Sequence, residues 1–210
     1  MRQSTTKHLY AYWNEVRGER LAPKRFDIEP AQIASILPET FILERSNDGE
    51  FRFRLAGTRI CESFGREFRG ARLLDLWQSN DQAKLDELLL GSLQNGAVGV
   101  IYFNAETEKQ VSIECEMLLL PLLHTGDRID RLLGSLATLE KPFWLGATPL
   151  VRLQSKEISV IWPDGRPCGQ PRNEVRRALA KTEPTYSRIV TSAHRSFKVY
   201  DGGRAKDGSG

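Results

Sequence analysis

The sequence predicts an α+β domain organised on an antiparallel sheet of five strands with a block of helices on one face, and three observations carry that expectation. The first is the order of periodicities along 210 residues: two helical stretches, two strands, a run of short helices, one longer helix, then three strands. The second is the stretch Phe51 to Trp77, FRFRLAGTRICESFGREFRGARLLDLW, in which a strand breaks abruptly into short helices separated by glycines. The third is connectivity. Asn47-Asp48-Gly49 and Thr125-Gly126-Asp127 are turn signals between strands, so hairpins join them. Strands and helices do not alternate one for one, which disfavours a doubly wound parallel sheet.

From Ser4 to about Arg20, Leu9, Tyr12, Trp13 and Val16 fall at i, i+3, i+4 and i+7, one stripe of an amphipathic helix. Burying four such side chains contributes about 6–12 kcal/mol, as much as the net stability of a domain. The stripe therefore packs on the sheet of its own domain or on the same helix of a second subunit, and both readings stand. Asp27-Ile28-Glu29-Pro30 opens a second short helix with Ile33, Ile36 and Leu37 inward, and Pro38 ends it. Thr40 to Glu44 reads as a strand, followed by the strand from Phe51, where Phe51, Phe53 and Leu55 alternate with Arg52 and Arg54. At Ala56-Gly57-Thr58, a residue tolerant of positive φ and a capping hydroxyl turn the chain into a helix carrying Ile60, Cys61 and Phe64. Gly65 stops that helix, Gly70 ends the next segment, and Leu73, Leu74, Leu76 and Trp77 return apolar bulk to the sheet.

Asp81 opens the longer helix, with Leu85, Leu88, Leu89 and Leu93 on one face and Gly96 as its stop. Val98 to Phe103 is a nearly continuous apolar strand. Gln110 to Leu120 alternates Val111, Ile113, Cys115, Met117 and Leu119 against Ser112, Glu114 and Glu116, and Leu132 to Leu139 completes the sheet. Beyond Lys141-Pro142 five prolines and few aliphatic residues mark an irregular stretch, with Glu174 to Lys181 as a short basic helix. The organisation expected is an N-terminal helix over 1–20, a domain over 21–142 and a basic, largely flexible tail over 143–210. Residues 1–150 carry a net charge of −3 and residues 151–210 carry +6, so the whole excess of +3 belongs to the C-terminal part.

Several of these pieces stand in a telling order. Tyr12-Trp13 in the first helix, Arg25-Phe26-Asp27-Ile28-Glu29-Pro30 and Leu37-Pro38 precede Phe53-Arg54-Leu55-Ala56-Gly57-Thr58 with Ile60-Cys61. Phe64-Gly65-Arg66-Glu67 with Gly70, and Leu76-Trp77 with Asp81, follow. Over residues 8 to 142 this text resembles a family of small stand-alone PAS proteins from alphaproteobacteria, and the element order resembles the PAS fold. The resemblance implies a sensory or protein-interaction module that works by contact with signalling proteins such as histidine kinases or response regulators, without catalysis. It supplies no ligand. Haem held by a His on the long helix is disfavoured, because residues 81–95 contain none. Flavin-binding light sensors of this fold carry a reactive Cys in an Asn-Cys-Arg context, and Cys61 sits in Arg-Ile-Cys-Glu.

Composition narrows the chemistry further. No unbroken apolar run reaches the length of a membrane span, and MRQSTTKHLYAYW lacks the apolar centre of a signal peptide, so the expected location is the cytoplasm. Cys61, Cys115 and Cys168 are odd in number and far apart, which fits neither a disulfide framework nor a zinc site. His8, His124 and His194 have no paired spacing for a metal. No phosphate-binding glycine loop is present. A cavity between the sheet and the helical block would be walled by Phe53, Leu55, Ile60, Phe64, Leu89 and Ile101; the alternative is that these side chains simply fill the core. A small enzyme would draw on Cys61, Glu62 and His124, or on the carboxylates Glu114 and Glu116, whose plainer reading is a solvated outer face. The basic tail, with Arg172, Arg176, Arg177, Lys181, His194, Arg195 and Lys198, suits anionic lipid, nucleic acid or solubilisation. Tyr186, Phe197 and Tyr200 are too few to stack single strands, which disfavours nucleic acid. The resemblance thus implies a non-enzymatic PAS regulator, with Leu9, Tyr12, Trp13 and Val16 as the stripe open to dimer or partner contact. A ligand-responsive sensor and a small α+β enzyme are the alternatives.

Overall fold

The computed structural model describes residues 1–124 and 128–163. Residues with helical apolar spacing form α1 (Ser4–Arg17), α2 (Thr58–Phe64) and α3 (Ser79–Asn95); those with strand patterns form β1 (Thr40–Arg45), β2 (Phe51–Ala56), β3 (Val98–Thr107), β4 (Ser112–Leu123) and β5 (Ile129–Thr138). A further strand, β6 (Leu150–Ile161), completes one sheet in the order β2-β1-β5-β4-β3-β6, with every neighbouring pair antiparallel. The α+β antiparallel architecture is the one expected, but the sheet has six strands, not five.

The sixth strand lies inside the stretch expected to be irregular. Its periodic signal is faint because only Leu150 and Leu153 are buried and Arg152, Gln154, Lys156 and Glu157 are exposed, as suits an edge strand. Pairing with β3 also slips between Tyr102 and Phe103, which interrupts the two-residue period within β6. The short helix, the basic side chains and the aromatic residues expected beyond residue 163, the turn at 125–127 and Cys168 lie outside the described residues.

Two cores form, one on each sheet face. The inner core joins Phe41, Phe53, Met117 and Leu132 of the sheet to Ile60 and Phe64 of α2 and to Leu85 and Leu89 of α3. The outer core joins Leu9 and Trp13 of α1, with Ile28, Ile33 and Ile36, to Ile42, Val100, Leu118 and Leu133. This second layer changes β4: from Cys115 to Leu123 every residue is buried, whereas simple alternation predicts one wet face. The helix expected after Asp27 is replaced by 3-10 turns at Arg25–Asp27, Pro30–Ile33 and Leu37–Glu39, since Pro30 and Pro38 leave fewer than three turns between them.

Gly65 and Gly96 end α2 and α3 in the left-handed conformation, at φ 62° and 68°. Gly57 works differently from expectation. Its φ is −68°, it is itself the N-cap of α2, and Thr58 makes no cap bond. A Cβ on Gly57 would lie 2.4 Å from the carbonyl oxygens of Leu37 and Pro38, so close backbone approach is what demands the glycine.

Candidate functional site

The residues expected to wall a cavity meet in the inner core, with one exception. Phe53, Ile60, Phe64, Leu89 and Ile101 are all buried there. Aromatic rings fill the space around them: Phe53 lies 5.4 Å from Phe41 and 4.8 Å from Phe68, Phe64 lies 5.2 Å from Phe68, and Trp77 lies 5.0 Å from Phe103, centroid to centroid. Edge and tilted contacts of this kind add to the area each ring buries. Leu55 is the exception and a correction: it is 43% exposed. Ile42 pairs with Leu55 but Leu43 pairs with Phe53, leaving Arg54 without an opposite residue. This bulge reverses the alternation, so Leu55 points away from the face that Phe53 occupies. A hollow of about 270 Å³ lies beside Ile60, bounded by Glu39, Arg59, Ser63, Leu136 and Leu145.

The outer face decides where the α1 stripe packs. Leu9 and Trp13 are completely buried on the chain's own sheet, and the Trp13 indole donates to the Pro121 carbonyl at 2.9 Å. Tyr12 and Val16 are half-buried at the margin of the same core. Of the two readings of the stripe, the structure takes the intramolecular one, and Leu9 and Trp13 are not free to face a second subunit. The first half of α1 is held by polar contacts. The Thr5 hydroxyl donates to Glu39, which also receives Arg59 of α2. Glu116 is wholly buried and not on a solvated face: its Oε2 accepts the backbone N–H of Arg2 at 2.5 Å and of Gln3 at 3.4 Å. A carboxylate there meets the positive end of the helix, which has no side-chain cap of its own. Burial of Glu116 was not legible because the backbone groups it binds lie more than a hundred positions away.

These two layers can be set beside known proteins. The profile of the PAS domain matches residues 1–137. The chain belongs to the PAS domain family. Among curated proteins nothing matches. Among solved structures, the light-oxygen-voltage protein of Rhodobacter sphaeroides is similar at 16% identity and TM-score 0.42, over 55% of this chain and 71% of that one. The PAS domain of a Colwellia psychrerythraea protein is similar at 14% identity and TM-score 0.39, over 53% of this chain and 98% of that one.

Within this PAS domain the reactive side chains are held apart. The Cys61 thiol lies 3.9 Å from the Ala56 carbonyl and 3.8 Å from Glu67; burial first, and then the Glu67 charge, push its pKa up. His124 instead pairs with Asp130, Nδ1 to Oδ2 at 3.4 Å. Burial pushes the Cys115 thiol up to about 12. Glu114 and Glu116 do share a strand face, but Glu114 bonds Lys156, whose hydrogen bond lowers its pKa, while Glu116 serves α1. No group of three or more metal-ligating side chains converges among the described residues. None of their helices is long and apolar enough to cross a membrane. Sequence reasoning missed Glu39 and Asp81 as fasteners; Asp81 on α3 accepts the Ser155 N–H at 2.8 Å and hydroxyl at 2.6 Å, tying β6 to the helical layer.

Proposed function

We propose that this PAS domain is a cytoplasmic sensory and protein-interaction module of bacterial signalling, of the stand-alone regulator type, acting by contact with histidine kinases or response regulators and catalysing nothing itself. The observation that carries this reading is the ring-packed inner core, in which Phe53 and Phe64 of the expected cavity walls are spent on Phe41 and Phe68 and the signal is left to surfaces. The separate partners of Cys61 and His124, with both thiol pKa values raised, support a role without nucleophilic chemistry. Titration of the purified protein into autophosphorylation and phosphotransfer assays of its host's kinases and response regulators tests it. A changed rate and direct binding with at least one pair is expected; unchanged rates and no binding across the set would remove the proposal.

The hollow beside Ile60 favours one second reading, a small-molecule sensor. At about 270 Å³ it falls just under the usual size of ligand sites and carries one buried carboxylate, Glu39. A ligand at about a hundred times its Kd stabilises the fold by roughly 2.7 kcal/mol, read as a shift of several degrees in a melting screen. A flat screen eliminates this reading and leaves the contact module standing.

A further inference from the structure

The two edges of the sheet are finished differently. Along β2 the outer edge is closed by the chain itself: Gly70 N–H donates to the Phe53 carbonyl at 2.7 Å, Phe53 N–H to Ala71 at 3.0 Å, and Leu73 N–H to Phe51 at 2.9 Å. Along β6 only the first half is covered, by Gln78 N–H on the Leu153 carbonyl at 3.0 Å and by Asp81 on Ser155. From Glu157 to Ile161 the edge has no backbone partner besides β3 among the described residues. Such an open edge templates strand pairing unless it is blunted.

Among the described residues the face beside that edge is open, an apolar stripe flanked by Lys84, Asp86 and Glu87. Ile158, Val160 and Trp162 line a groove of about 710 Å³ whose other wall is α3, with Leu88, Leu90 and Gly91. Val160 is 47% exposed. Gly91 stands in the interior of α3, where glycine costs about 1 kcal/mol relative to alanine, yet a Cβ there would meet nothing within 4 Å. Among the described residues nothing occupies the space of the missing side chain.

We propose that β6 is the contact edge of a homodimer, in which Glu157–Ile161 pairs antiparallel with the same stretch of a second copy about a two-fold axis at Ser159. Self-complementarity selects this occupant. Residues directly opposite in an antiparallel pair share a face. With the axis at Ser159, Ile158 of each copy faces Val160 of the other on the groove side. Glu157 faces Ile161, so no like charges oppose; Lys156, the bulged residue, stays bonded to Glu114 of its own copy. The two Ser159 side chains meet each other, the contact is isologous and closes at two copies, and the space over Gly91 admits a side chain of the incoming copy.

Sedimentation of the full-length protein up to ~100 µM tests the interface, since a dimer with a Kd in the micromolar range is populated there. Expected are a species of twice the 23.8 kDa chain mass, its loss in Val160→Lys with the far-UV spectrum unchanged, and its persistence in Val16→Lys. Ser159→Cys in a Cys168→Ser background should oxidise to a covalent dimer, because a residue on the axis faces itself within disulfide reach, and Ile161→Cys in the same background should not. A monomeric wild type, a dimer that survives Val160→Lys or is abolished by Val16→Lys, or equal cross-linking at both positions would overturn the proposal.

Discussion

At the scale of single residues, the environment of each ionisable group sets what the protein does with it. Cys115 lies in the inner core with its pKa pushed to about 12, and Cys61 is raised by burial and by the charge of Glu67. Both shifts disfavour the thiolate, which is the reactive form. Peptide-mapped alkylation should therefore label Cys115 only through global unfolding, while Glu67→Gln should speed labelling of Cys61. Alkylation of native Cys115 as fast as a free thiol would contradict its placement. Asp48 shows the opposite shift. The Ser46 hydroxyl, then Arg52, hold its carboxyl well below its ordinary value of 3.8. A depressed folded-state pKa gives a contribution that is complete above the ordinary value and is lost as pH falls through the folded one. The β1–β2 turn should thus hold its chemical shifts at pH 5 and loosen only in strong acid; Asp48→Asn should remove that acid step from the turn's titration curve.

Elements are fastened by a few polar side chains whose partners are distant in sequence. Asp81 is the clearest case, since both its oxygens are spent on Ser155 and it joins the first turn of α3 to β6. Asp81→Ala leaves those donors unmatched at a cost of about 1–3 kcal/mol. Hydrogen exchange should quicken across Leu150–Ile161 before it changes in β4. Uniform quickening over the sheet would mean that Asp81 supports the whole core and not β6 in particular. Much of this scale was legible: the two strands flanking a turn, the broken helical block, the glycine stops and the long helix all follow from period and punctuation. Three features were not. A bulge that turned Leu55 outward leaves no mark on composition, because alternation in sequence is blind to the register of the partner strand. The edge strand β6 hides for a related reason: with one neighbour and one half-covered face, it needs few apolar residues. Gly57 was flagged for the wrong reason, as its role depends on the carbonyls of Leu37 and Pro38.

In the whole described domain, one sheet carries two hydrophobic cores, and β4 is shared by both. Trp13 belongs to the outer core and Phe53 to the inner one. Truncation of either to alanine should cost about 3–5 kcal/mol. Because the sheet is common to both layers, each variant should lower one cooperative transition seen alike by tryptophan fluorescence and far-UV circular dichroism. Two separated transitions in Trp13→Ala would show that α1 is a detachable cover and not part of the folding unit. The sequence by itself determined the class of fold and the order of its elements, because periodicity and turn chemistry are local properties of the chain. Only the tertiary structure decided that α1 lies on its own sheet, that Glu116 is buried beneath it, and that Phe53 and Phe64 pack against neighbouring rings while Leu55 faces away. Those outcomes depend on which distant surfaces meet, and burial is a property of the meeting, not of the residue.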